Sequence, residues 1–269
     1  MLPECISIIG IRPRSDRAAV VKPGVSGTAL DMMTTEPVAL TRLEPFDIFD
    51  TEARRLDRFF AGLDEEGWNR PTRCEGWTVR DVLAHLAGEE IYNHACLDDD
   101  MDGFFEMLER EGVQSGFDAF NEWCVHKRHN LPVEQVLDEW RSKNAETRRR
   151  MRDRGRGGTL QTSVGPYPVG LQTFHYDSEY ATHGDDVGAP VADEEAAARL
   201  AWRVEVGLFA LEEQGSKARI ERAGDRITAH VDGLSAELTE AEFVEATVGR
   251  LATAHPLDSR IRGVLRCLA

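Results

Sequence analysis

Glu179 and His183 stand four residues apart in the stretch LQTFHYDSEYATHGDD. On a helix that spacing puts both side chains on one face, one turn apart. A carboxylate and an imidazole so placed can grip a single metal ion with little rearrangement. His175 shares the face one turn earlier and reads as a packing residue, with a fourth ligand or a proton shuttle as its alternatives. The pair alone is weak evidence. With eight histidines in a Glu-rich chain, roughly one such pair is expected by chance, and a solvent-exposed helix pair accounts for it more simply. His85 adds a second element. It falls in VLAHLAG, among residues that face a bundle core, where a lone histidine is ordinarily a core residue with its hydrogen bonds satisfied. Two histidines and one carboxylate on facing helices are nonetheless a recurring way to build a metal site in a bundle. Three protein ligands also leave a coordination position open, as catalytic sites require. His85, Glu179 and His183 are therefore the candidate metal ligands, and no catalytic residue is read beyond them.

Other residues invite the same question. Asp185 and Asp186 follow His183 closely and are candidates to accept its second N–H. Helix-end charges and turn formation explain them more simply. The basic run Arg148, Arg149, Arg150, Arg152, Arg154 and Arg156 would suit an anionic substrate, but a solvated helix end is the plainer reading. Trp77 fits a pocket mouth or the core. Cys74 beside Arg73 shows no His/Asp partner pattern and reads as structural.

The elements that must position these residues are mostly helical. Phe46, Phe49, Ala53, Leu56, Phe60 and Leu63 recur at three- and four-residue steps, the mark of an amphipathic helix. Thr78 with Asp81 three residues later predicts a capping box and a second helix from about Val79, buried through Val82, Leu83, Leu86 and Ala87. Further helices are expected over 116–130, over 132–152 and from Leu171 to about Asp185. SVGPYPVG at 163–170 reads as a loop or short extended turn. After 193–213, again helical, ARIERAGDRITAHVDG alternates apolar and polar residues around Gly224-Asp225, which predicts a hairpin; LTEAEFVEATVGRLATA returns to helix. The fold class is mainly α: an antiparallel four-helix bundle followed by a small α+β domain. The expected division is a loosely ordered extension over 1–40, within which Met32 or Met33 is an alternative start, a bundle over 41–192 and the small domain over 193–269.

Composition limits the function. A formal net charge of −16, from 48 acidic against 32 basic residues, repels phosphate backbones and anionic lipid, so neither nucleic acid nor membrane is an expected partner. No segment approaches the roughly 18 apolar residues of a membrane-spanning helix. The N-terminus lacks the order of a signal peptide. A cytoplasmic protein is expected. The five cysteines are scattered, without CxxC, and read as reduced thiols.

The stretch PTRCEGWTVRDVLAHLAG (71–88), with NEW at 121–123 and LQTFHYDSEYATHGDDVGAPV at 171–191, resembles the DinB-like, mycothiol-dependent maleylpyruvate isomerase family. The resemblance spans about 42–192, and three separated motifs occur in the right order. In that family a motif histidine on the second helix and an E-x3-H pair on a later one bind a divalent metal, usually zinc; these positions fall on His85, Glu179 and His183. The resemblance implies a DinB-like bundle and mycothiol as a thiol cosubstrate. A metal-bound thiol loses its proton and becomes a nucleophile at neutral pH. It would attack a small electrophile, for isomerisation or for S-transfer. A non-catalytic metal-binding protein and a hydrolase using metal-bound water are the alternatives. Some members carry a sterol-carrier-type C-terminal domain, to which 195–269 has a slight likeness through VGR at 248–250.

Overall fold

The computed structural model describes residues 36–113 and 116–268; most of the extension expected over 1–40 thus lies outside the described residues. Two compact units form, one of Glu44–Pro190 and one of Glu36–Leu43 with Val191 onward.

The first unit is a helical bundle. Its long helices are α1 (Pro45–Ala61), α3 (Val79–Leu97), α6 (Val133–Arg154) and α7 (Val169–Val187). The single turn α2 (Glu65–Trp68) follows α1, while α4 (Met101–Arg110) and α5 (Phe117–Arg128) lie between α3 and α6. Phe46, Phe49, Ala53, Leu56 and Phe60 are buried along α1, as their spacing requires. At the start of α3 the Asp81 carboxylate accepts from the Thr78 backbone N–H at 2.9 Å and from its hydroxyl at 2.7 Å. The capping box therefore fixes where this helix begins.

Side-chain pairs set the directions of the helices. Arg141 meets Asp57, Arg148 meets Asp50 and Arg152 meets Asp47, so α6 runs opposite to α1. Glu90 of α3 meets Asn144 and Thr147 of α6, and Arg154 reaches the Leu97 carbonyl, so α3 and α6 run the same way. Phe49 packs on Tyr176 and Tyr180, and Arg55 reaches the Pro190 carbonyl, giving α1 and α7 a common sense. The bundle thus opposes α1 and α7 to α3 and α6. Arg150 on Asp98 and Arg154 on Asp99 are further members, while Arg149 pairs with Asp153 of its own helix. Four arginines of the basic run thus link α6 to acids of other segments.

Short strands β1 (Thr159–Thr162) and β2 (Gly165–Pro168) form a hairpin over the segment read as a loop or extended turn. Its end runs directly into α7.

The second unit is α+β. Helix α8 (Asp193–Glu213) precedes the antiparallel strands β3 (Arg219–Ala223), β4 (Arg226–Val231) and β5 (Leu234–Thr239), and α9 (Glu240–Thr247) and α10 (Ser259–Leu265) follow. The expected turn at Gly224-Asp225 joins β3 to β4. Asp232 and Gly233, both at positive φ, make the tight turn into β5 that a right-twisted hairpin favours. Ile227, Ala229 and Val231 alternate inward from β4. No helix among the described residues is long and apolar enough to cross a membrane.

The approach of α5 to α3 depends on Gly88, where a methyl group would overlap Cβ and Sγ of Cys124. The obstacle is the root of a buried side chain, so the helices themselves must separate. Gly88→Ala is expected to lower stability by about 1–3 kcal/mol in spite of alanine's better helix propensity, as read from a chemical denaturation midpoint.

Candidate metal centre

Helices α3 and α7 bring His85, Glu179 and His183 together in the first unit. One ligand-type atom from each lies within 4.8 Å of the others, and all three residues are buried. His85 Nε2 is 3.4 Å from Glu179 Oε1, and the two imidazole rings stand 4.9 Å apart. His85 and His183 are fully buried and Glu179 is 1% exposed. The solvent-exposed alternative for the Glu179/His183 pair is therefore excluded. His85 is buried as a core histidine would be, and a buried carboxylate faces it.

Two further carboxylates belong to the cluster. Glu89, one turn after His85 on α3, places Oε1 3.5 Å from His85 Nε2. Asp186 Oδ2 accepts from His183 Nδ1 at 3.2 Å, with both side chains wholly buried. The simpler reading of Asp186 as a helix-end charge is thus corrected. It lies three residues beyond His183, which on a helix is the same face, while Asp185 is partly exposed. Cys74 donates its S–H to the same Asp186 oxygen at 3.2 Å. The loop before α3 is tied to the end of α7, since the Arg73 backbone N–H donates to the Asp186 carbonyl and Arg70 to the Val187 carbonyl. Trp77 lays its ring 5.2 Å from the His85 imidazole and points its N–H at Glu122. His175 is turned instead to the Tyr167 hydroxyl, 3.3 Å away.

The charges follow from this crowding. Burial, joined by the charge of Glu179, pushes the Glu89 carboxyl well above its ordinary value. Burial acts on Glu179 in the same direction, yet hydrogen bonds from His85 and Glu89 and the nearby imidazoles hold it below the usual carboxylate range. Burial alone would depress His183; the hydrogen bonds to Asp186 and Cys74 outweigh it and raise the imidazole to about 10. Asp186 accepts a hydrogen bond from Nδ1–H, so Nε2 is the nitrogen left to face the cluster. That Nε2 makes no hydrogen bond among the described residues. A buried lone nitrogen aimed into two imidazoles and a carboxylate suits an ion or a water, and this donor set fits a divalent cation.

Beside the cluster, Glu90 anchors a polar network. Its carboxylate accepts from Asn93, Asn144, Thr147 and the Tyr180 hydroxyl, and Trp140 donates to that hydroxyl at 3.1 Å. The network joins α3, α6 and α7 next to Glu89 and Glu179. Sequence reasoning passed over Glu89 and Glu90, although two acidic residues within the otherwise apolar run VLAHLAGEEIY were a visible anomaly.

Fold and site together define a helical bundle with a buried histidine–carboxylate centre between two of its helices. The family model described as the mycothiol maleylpyruvate isomerase N-terminal domain matches residues 49–188, just over half of the chain, and the chain belongs to that family. A solved structure of a histidine-to-alanine mutant of mycothiol-dependent maleylpyruvate isomerase is 15% identical, covering 61% of this chain and 70% of its own, with a TM-score of 0.46. A likeness that slight carries no argument, and the fold stands on the helices themselves. No curated protein matches the chain.

Tyr180→Phe removes the acceptor of the Trp140 N–H and one donor to Glu90. The expected cost is about 1–3 kcal/mol, measured by denaturation of the metal-free protein.

Proposed function

We propose that the chain is a divalent-metal-dependent enzyme that activates a low-molecular-weight thiol, mycothiol, for isomerisation of a small electrophile or S-transfer to it. The observation that carries this reading is the convergence of His85, Glu179 and His183, whose ligand-type atoms lie within 4.8 Å of one another in a buried site. Membership of the mycothiol maleylpyruvate isomerase family supports the choice of thiol. Zinc suits two imidazoles and a carboxylate, as do other first-row divalent ions. A bound divalent ion would lower the pKa of a coordinated thiol, so that a thiolate forms at neutral pH.

The protein's own residues prepare for that role. Asp186 holds His183 in the tautomer whose Nε2 lone pair faces the cluster, as an outer carboxylate does for ligating histidines. The Cys74 thiol steadies Asp186, and its side chain is buried. The nucleophilic sulfur is then the cosubstrate's, and Cys74 serves orientation. Trp77 packs against His85 and shields that imidazole. Surrounding burial keeps water off the donors, which strengthens every charge interaction among them. The low-molecular-weight thiol implies a cytoplasmic setting, where thiols are kept reduced.

Elemental analysis of the purified protein beside His183→Ala is the first test, with about one equivalent of metal expected in the wild type and loss in the variant. Thiol-dependent consumption of an electrophile such as maleylpyruvate should disappear with the metal. Turnover without added thiol would point to water as nucleophile, and metal binding without turnover to a binding protein. Asp186→Asn should keep the fold and weaken metal affinity about 10–100-fold, as measured by competition with a chromophoric chelator.

A further inference from the structure

The three-residue centre leaves one buried carboxyl group beside it without an assigned role. Glu89 is 3% exposed, and its Oε1 faces the same imidazole nitrogen as Glu179 Oε1. From His85 Nε2 the distances are 3.5 Å to Glu89 Oε1 and 3.4 Å to Glu179 Oε1. Donors bound about 2.0–2.2 Å from a tetrahedral ion stand about 3.3–3.6 Å from one another. Both carboxylates therefore lie one tetrahedral edge from His85 Nε2 before any ion is added. We propose that Glu89 is a fourth protein donor to the divalent cation, so that the centre consists of His85, Glu89, Glu179 and His183. The proposal rests on the metal reading above and extends it, and the thiol would then enter as a fifth ligand, an expansion that zinc sites allow.

Helix geometry supplies the reach, because His85 and Glu89 are four residues apart on α3 just as Glu179 and His183 are on α7. Each helix contributes one histidine and one glutamate on a single face, and the two faces meet. A carboxylate-rich set also widens the choice of ion towards manganese and ferrous iron, which bears on which metal the protein retains.

The test uses the full chain stripped of metal and reloaded with zinc or with cobalt(II), whose visible absorption reports the number and kind of donors. Glu89→Gln keeps shape and removes charge, while Glu89→Asp keeps charge and shortens the arm by one methylene. Metal-free thermal midpoints and far-ultraviolet circular dichroism establish that each variant is folded. If Glu89 is a donor, both variants should bind zinc more weakly than Asp186→Asn does, beyond the roughly 10–100-fold typical of an outer partner. Both should also change the intensity and position of the cobalt bands, and the rise in melting temperature on adding zinc should shrink. Wild-type affinity and an unchanged cobalt spectrum in folded Glu89→Gln would overturn the proposal and leave the three-residue centre intact. Failure of the wild type to take up zinc, cobalt, manganese or iron would overturn the three-residue reading itself, and the fourth donor with it.

Discussion

Burying ionisable groups between helices is the constraint on which the rest of the first unit depends. His85, Glu89, Glu179, His183 and Asp186 are all at most 4% exposed, and an isolated charge in such surroundings would unfold a domain of ordinary stability. The protein meets the cost in two ways. It pairs charges at the cluster, as between His183 and Asp186, and it saturates the neighbouring Glu90 with four donors from three helices. Polar packing of this kind tolerates little sliding, so the centre and the register of α3, α6 and α7 are fixed together.

The connectivity serves the same end. Helices α3 and α6 run in one direction, which requires a long link, and α4 and α5 fill it; the β1–β2 hairpin turns the chain from α6 into α7. Arginines along α6 fasten to acids of α1 and to those following α3. At the other end, the loop carrying Cys74 and Trp77 is pinned to the last turn of α7. The two histidines are held from outside the bundle as well as from within.

Much of this was legible in the sequence because helix periodicity is a local signal. The stripe of α1 and the capping box of α3 appear where the residue spacing puts them, and the turn at Gly224-Asp225 joins two strands as its alternation requires. His85, Glu179 and His183 could be singled out because i,i+4 spacing and a histidine in an apolar run are also local. What the sequence did not reveal was long-range or ambiguous. The arginine run looked solvated because its acidic partners lie about fifty to a hundred residues away. Glu89 and Glu90 were passed over: the apolar run around them signals burial, but the partners that hold Glu90 lie on other helices. Asp186 was read together with Asp185 as a helix-end charge, although Asp185 has the wrong angular offset from His183 and Asp186, one residue on, has the right one.

His85 and Glu179 are almost a hundred residues apart in the chain, so their meeting exists only in the folded bundle. A cation held there would bind the native state and ignore the unfolded chain, adding to stability in proportion to the logarithm of its free concentration. In a metal-starved cell such a protein would face more frequent unfolding and faster proteolytic clearance. Its abundance, and not only its activity, would then follow the metal supply.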